Sequence, residues 1–482
     1  MKKRAIGFNK TNHNGSTSIL RSSWRLSMPK TSFRRNLKSV ATLALPLALT
    51  QLSQHSMSFV DTVFIGRVGE LELASTALGS SLFFTTCIIG FGILHGLDTI
   101  IAQAFGRQEP DSARRALVQG TYLAFIWSFL TAGVAWLVTY GTRFIGTDLQ
   151  IAEGALEYME GRLPSILPMF LVVALRSFLQ GAHITRPILS AAIIANMVNL
   201  VLDALVLMGP SYAFQAGWIS ESLNMEFGPW GLAVVSSVAS LIQLLVMYGP
   251  IKRHFPVESI PPFDAHTQRL IFRIGFPLSI QLLAEIGVFS TVLILISRID
   301  AASTAAHQVA LSIASLTFAV CLGIGAATSV AVGRAVGAGE RRTMVESGFA
   351  GIFLGIGFMS VTACLMWLFP RAVSSTITSE ASVLSLASQL IIIAGFFQIV
   401  DGIQAVAAGA LRGLGLTRFS SIANLLGHWA FGLPLGLWLA FEQGYGVVGL
   451  WWGLTSGLTV VALALTWKFV QVSRRDITSF RV

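Results

Sequence analysis

The sequence predicts an all-α integral membrane protein, with twelve transmembrane helices arranged as two parallel six-helix repeats. Three observations carry that prediction. The chain is 54% apolar and only 12% charged, against roughly 25% charged in an ordinary soluble domain. Long apolar stretches recur, among them 79–97, 116–142, 227–248 and 345–369. Each can cross a hydrocarbon core about 30 Å thick. Finally, the second half of the chain echoes the first at a near-constant offset.

Apolar runs bounded by Gly, Pro or charge predict helices near 41–65, 73–104, 115–141, 152–181, 188–209, 229–249, 269–297, 303–334, 345–369, 382–411, 419–440 and 447–470. Linkers 105–114, 182–187, 250–268, 335–344 and 412–418, with the two tails, hold most of the Lys and Arg. The opposite linkers and their flanks offer only Arg67, Arg143, Arg162, Arg298 and Arg371. The positive-inside bias therefore sets both termini in the cytoplasm and the stretch 210–228 outside.

Internal repetition is visible in the letters. Residues 179–186 read LQGAHITR and residues 411–418 read LRGLGLTR. Pro46 matches Pro277, Arg67 matches Arg298 and Ala104 matches Ala335, each 231 positions on. The repeat runs over 41–250 and 266–475, joined by the loop around Pro256, Pro261 and Pro262. The expected domains are a basic cytoplasmic tail (1–40), an N-terminal six-helix lobe (41–250), an inter-lobe loop (251–268), a C-terminal lobe (269–470) and a C-terminal tail (471–482). An even number of helices per half makes the repeats parallel, about an axis along the membrane normal. Two such bundles invite alternating access; nothing in the chain resembles a channel's selectivity filter.

The net charge of +10 does not point to nucleic acid. Ten Lys or Arg and no acid fall within residues 1–40, and the remainder balances at 23 bases and 23 acids. Such a tail suits anionic lipid, and its composition also resembles an organellar transit peptide. The localisation expected is a plasma (inner) membrane, with an organellar membrane as the alternative. Cys87, Cys321 and Cys364 lie far apart in apolar segments and read as small buried hydrophobes.

Ionisable groups at membrane depth are informative because each costs on the order of 3 kcal/mol at a helix centre. Asp61 lies fifteen residues after Pro46 in the first helix. Asn199 and Asp203 stand at i and i+4 on one helix face. Their oxygens form a hard-donor set suited to a proton or sodium. Glu285, at the position matching Gln54 of the first half, and Asp401 are the acids of the second half. Arg176 is a candidate partner for one of these acids. His55, His95, His307 and His428 show no metal-ligand spacing and read as packed or hydrogen-bonded imidazoles. No GxxxxGK phosphate loop and no GxSxG nucleophile elbow is present, so ATP use and hydrolase chemistry find no support.

Together these segments resemble the multidrug and toxic compound extrusion family over residues 38–472. The resemblance rests on PLALTQLSQHSMSFVDTVFIG, ALGSSLFF, IIAQAFGR, GFPLSIQLLAEIGVF, AAHQVAL, DGIQAVAAGALRG and LPLG. It implies two lobes in a V shape and antiport of cationic or amphiphilic drugs against sodium or protons, without a cofactor or enzymatic step. It implies a first-lobe cation site at Asp61, Asn199 and Asp203, completed by Ser236. Glu285 and Asp401 would form a second-lobe site for cation or substrate, the pattern of the NorM-like branch. Sodium could lie at either set. The partners expected are small organic drug-like molecules and the bilayer, with no nucleic acid and a monomeric transporter. Two alternatives are a flippase of lipid-linked precursors or a metabolite exporter in the same superfamily, and an integral-membrane enzyme.

Overall fold

The computed structural model describes residues 30–208, 227–254 and 260–482. Twelve long helices run through them: α1 (Lys30–Val68), α2 (Glu70–Gly106), α3 (Pro110–Phe144), α4 (Leu149–Gly181), α5 (Arg186–Leu207), α6 (Gly228–Arg253), α7 (Ala265–Ser297), α8 (Ala301–Ala338), α9 (Arg341–Leu368), α10 (Ala381–Gly413), α11 (Thr417–Glu442) and α12 (Gly446–Val472). Eleven are long and apolar enough to cross a bilayer; α1 has the length, at 39 residues, but is too polar. Its second half carries Gln51, Gln54, His55 and Asp61. Such residues are tolerated where a helix faces protein or a water-filled cleft.

Each predicted helix is found in order, and most run longer than the apolar run that marks it. A helix satisfies its own backbone, so it continues past the hydrocarbon edge wherever polar side chains suit the turns beyond. The largest difference is at α1, which begins at Lys30, inside the stretch read from sequence as tail. Val40 is buried, Phe33 and Leu37 pack on the core, and Asn36 Nδ2 donates to Glu346 Oε2 at 2.6 Å. The rest of that tail, most of the 210–228 stretch and part of the loop near Pro256 lie outside the described residues.

Helix pairings repeat six helices on. In the first lobe α1 packs on α5, α2 on α4 and α4 on α6; in the second, α7 packs on α11, α8 on α10 and α10 on α12. The lobes meet reciprocally, α1 against α8 and α7 against α2. At this seam a Cβ on Gly92 would collide with the backbone of Ser279, and one on Gly323 with the backbone of Ala48. Ser279 and Gly323 stand 231 positions after Ala48 and Gly92, the offset seen in the letters. Gly106 against Arg334 and Gly337 against Gln103 repeat the relation. The same patch thus appears on both sides, as a two-fold axis demands.

The seam lies at the end of the bundle that holds Lys30 and Val482. The C-terminal segment is packed into it. Gln103 is fully buried and donates from Nε2 to the carbonyls of Phe480 (3.0 Å) and Gly413 (3.3 Å). Its Oε1 accepts from the Val482 N–H at 2.9 Å, and Arg107 Nη1 donates to Val482 O at 3.0 Å.

Candidate functional site

In the first lobe the four residues named from sequence converge from α1, α5 and α6. Ser236 Oγ donates to Asp61 Oδ2 at 3.1 Å. Asp203 and Asn199 lie beside Asp61 and are 0% and 1% exposed. Gly161, on α4, packs against Ala233, and its carbonyl accepts from Ser237 at 2.8 Å, next to Ser236. Among the described residues, Asp61 Oδ1, both oxygens of Asp203 and both polar atoms of Asn199 are buried with no hydrogen-bond partner outside this trio. An unsatisfied buried polar atom costs about 1–3 kcal/mol. Several on facing groups mark a cluster that a cation or proton would complete.

In the second lobe Glu285 (α7) and Asp401 (α10) line one cavity of about 330 Å³. Phe289, Phe318 and Phe397 form its aromatic wall, with Gln404 and His428 beside the acids. Glu285 Oε1 accepts from Gln404 Nε2 at 2.8 Å and Gln281 Nε2 at 3.3 Å. Gln404 Nε2 also donates to Asn424 Oδ1 at 3.1 Å, and Asn424 Nδ2 donates to the Ser420 carbonyl at 2.9 Å. This chain ties Glu285 to α10 and α11 and fixes where its carboxyl sits. Among the described residues no cluster of three His, Cys, Asp or Glu could hold a metal ion. The oxygens present suit a hard monovalent cation rather than a transition metal.

The MatE family profile matches the chain twice, over residues 46–205 and 277–438, with starts 231 positions apart. The chain belongs to the MatE family. A probable multidrug resistance protein NorM of Rhizobium meliloti is 31% identical over 461 residues, covering 93% of this chain and 96% of that one. The multidrug resistance protein NorM of Burkholderia vietnamiensis is 33% identical, covering 91% and 94%. Among solved structures, the eukaryotic MATE transporter AtDTX14 superposes with a TM-score of 0.81 at 20% identity, covering 93% of this chain and 98% of its own. The Vibrio cholerae MATE transporter VcmN in the bent form gives 0.81 at 20%, covering 94% and 100%. As a MatE protein with NorM-named relatives the chain is a membrane transporter and not an enzyme, with the two-lobe fold that the sequence implied.

Two polar groups of this MatE chain are not where the sequence reading put them. Arg162, counted there as a flank residue, is buried inside the first lobe with its guanidinium 5.0 Å from the Phe83 ring centroid. It is near enough for its charge to act on Asp61. Helix α4 runs on through a 3₁₀ turn at Leu163–Ser165, so the flank inferred from polarity is mid-element. Arg176 donates to Gln51 Oε1 at 3.1 Å rather than pairing with any of the four candidate acids. The two helical histidines of the second lobe follow the sequence reading: His428 is packed at 1% exposure, and His307 accepts the Trp451 indole N–H at 3.1 Å.

One group escaped the sequence reading altogether. Asp98, on α2, accepts from Ser177 Oγ at 2.6 Å and lies 3.3 Å from His95 Nδ1. Across the seam, Arg412 Nε of the second lobe lies 3.7 Å from Asp98 Oδ2. Thr99 Oγ1 donates to the Arg412 carbonyl at 2.6 Å, and Arg412 Nε donates to Ser329 Oγ at 3.3 Å. An acid inside a predicted span was the signal available. The same rule that singled out Asp61 applies to Asp98.

Proposed function

We propose that this protein exports cationic or amphiphilic organic molecules across the bacterial inner membrane, driven by entry of sodium or protons. The observation that carries this reading is a division of labour between two sets of carboxylates. In the first lobe, Asp61, Asn199, Asp203 and Ser236 form a compact cluster whose Asn199, Asp203 and Ser236 side chains are almost fully buried. In the second, Glu285 and Asp401 line an aromatic cavity of about 330 Å³, near the lower end of small-molecule sites. The small cluster suits an inorganic cation or proton. The larger cavity suits an organic cation whose rings lie against Phe289, Phe318 and Phe397. The multidrug resistance names of the relatives support organic molecules as the cargo.

Exchange follows from charge. A carboxylate held out of water is costly, and a proton, sodium or a cationic substrate can each offset that cost. A ligand shifts the balance between lobe arrangements only by binding one arrangement better than the other. Antiport results if coupling ion and substrate favour opposite arrangements. We further propose that the seam end faces the cytoplasm, with both termini, and that one chain suffices for transport. The domain boundaries follow the two lobes and the loop between them.

The test is reconstitution in liposomes with sodium and pH gradients imposed independently. Asp61→Asn and Asp401→Asn keep volume and remove the charge. Each is expected to abolish gradient-driven export of tetraphenylphosphonium while the protein inserts normally. Asp401→Asn should weaken equilibrium binding of that cation, and Asp61→Asn should leave it near wild type. Wild-type export by both variants refutes the proposal. Cysteine labelling of residues 210–228 from the cytoplasmic face would refute the orientation.

A further inference from the structure

The outer face of α1 at the seam end carries charge that neither lobe uses. Arg34, Arg35 and Lys38 are exposed there, and among the described residues no hydrogen bond or ion pair ends on their side chains. Thr42, Leu45 and Leu49 continue that face below Lys38 and are exposed as well. Exposed leucines on a membrane-spanning helix meet acyl chains, and Lys38 stands about 10 Å beyond Leu45 along the axis. The three bases therefore lie at the level of the phospholipid headgroups.

Beside them runs the start of α9, which belongs to the other lobe. Glu346 is buried between the two helices, accepting from Asn36 Nδ2 of α1 at 2.6 Å and from Arg342 Nε of α9 at 2.8 Å. The Arg342 side chain is still more than half exposed. Arg341 turns away, donating from Nε to the Ser473 carbonyl at 2.9 Å, and Glu340 accepts from Thr343 Oγ1 at 2.8 Å. The mouth of this crevice between the lobes is thus basic, with three unpaired charges on α1 and a fourth shared with Glu346.

At the place related by the two-fold axis, between α7 and α3, the chain closes the crevice itself. Gln119 donates to the Pro262 carbonyl at 2.7 Å and accepts from the Asp264 N–H at 3.0 Å, and the Tyr122 hydroxyl donates to the Pro261 carbonyl at 3.2 Å. Residues 261–264 are a strap from the second lobe to the first. The segment that precedes α1 has the wrong charge for that part, since residues 1–29 hold six Lys or Arg and no acid. A basic crevice is complemented by an anion.

We propose that the crevice between α1 and α9 binds an anionic phospholipid, its phosphate held by Arg34, Arg35 and Lys38 of the first lobe and Arg342 of the second. Arginine suits phosphate because its planar fork meets two oxygens at once. The exposed leucines below take the acyl chains, which a free phosphate ion lacks. A lipid held in this way ties the lobes together at the seam end, as the strap does opposite.

Native mass spectrometry of purified full-length protein tests this, with titration by phosphatidylglycerol or by phosphatidylcholine of identical acyl chains. Each base at an anionic headgroup is worth about fivefold, so three unpaired bases should give phosphatidylglycerol a preference of about a hundredfold. Combining Arg34→Gln, Arg35→Gln and Lys38→Gln should cut that preference to about fivefold or less, Arg342 alone remaining. A control combining Arg186→Gln, Arg253→Gln and Arg273→Gln removes as much charge from exposed positions on α5, α6 and α7, and should keep the wild-type preference. An excess of inorganic phosphate should leave the lipid bound. The proposal is overturned by a wild-type preference near one, by a preference that the α1 substitutions leave unchanged, or by an equal loss in the control, which would mean general surface charge. Displacement of the lipid by inorganic phosphate would overturn it too, as the mark of a plain anion site.

Discussion

Replacing Arg412 with Gln should loosen the seam between the lobes. The guanidinium lies 3.7 Å from Asp98 Oδ2. At an effective dielectric of about 20, that separation gives roughly 4 kcal/mol of gross attraction. Arg412 is 20% exposed and Asp98 6%, so the pair is partly desolvated and part of this attraction is lost to that cost. Ser177 and His95 continue to hold the carboxyl when Arg412 is gone. The net loss expected is about 2 kcal/mol, or about a thirtyfold shift towards separated lobes at this end. The substitution is mild for the helix, because the first repeat carries Gln180 at the matching position. Spin labels at Asp111 and Glu340 report on the two lobes at this end, and both positions are exposed. Wild-type protein should give one short distance, and Arg412→Gln a second, longer population. Asp98→Asn should give a smaller effect, since the Arg412 left behind can reach water more easily than Asp98 could. A distance distribution unchanged by Arg412→Gln would refute the reasoning.

Three further predictions concern the ends and caps. Removing residues 477–482 strips Gln103 of two of its partners and Arg107 of one, and should raise the long-distance population in the same measurement. Deleting residues 2–29 should leave export near wild type, whereas extending the deletion to residue 40 should lower thermal stability, because Val40 is buried and Asn36 holds Glu346. Asp300 caps α8 by accepting from the Ser303 N–H at 2.6 Å, and its hydrogen bonds hold the carboxyl below the usual carboxylate range. A depressed folded value means that the cap's contribution is present above the ordinary carboxylate range and lost as pH falls through the lower folded value. Asp300→Ala should therefore lower Tm at pH 7, and that effect should shrink progressively as pH falls below the ordinary carboxylate range; a drop that is independent of pH would refute the cap.

The helices were legible because a bilayer requires apolar runs of fixed length, and the repeat was legible because 231 recurs from Pro46 to Pro277. Depth was legible too: Asp61, Asp203, Glu285 and Asp401 stand out as acids in apolar surroundings. Rotation about each helix axis was not. Arg162 and Arg176 could not be assigned neighbours from spacing, since the face each presents depends on how six helices pack together. Gln404 and Asn424 are ordinary amides in the sequence and become a positioning chain only when α7, α10 and α11 meet. The π-helical turns around His428 have no clear letter signature. Asp98 carries the same letter signal as Asp61, an acid inside an apolar run.

The seam of glycines against backbone bears on how fast such a machine can work. Interlocked side chains must change rotamer before two helices part, and each change adds friction to the stroke. Gly92 against Ser279 and Gly323 against Ala48 bring backbone to backbone with no bulky side chain between, and the Ser279 hydroxyl donates across to the Ile89 carbonyl at 2.8 Å. Resistance to opening is then concentrated in a few polar clasps, Arg412 with Asp98 and Gln103 with the C-terminal residues. These lie on other residues than those lining the aromatic cavity. Turnover rate and substrate choice can therefore drift independently, so a lineage could quicken or slow its pump by editing the clasps while the cavity keeps its tastes.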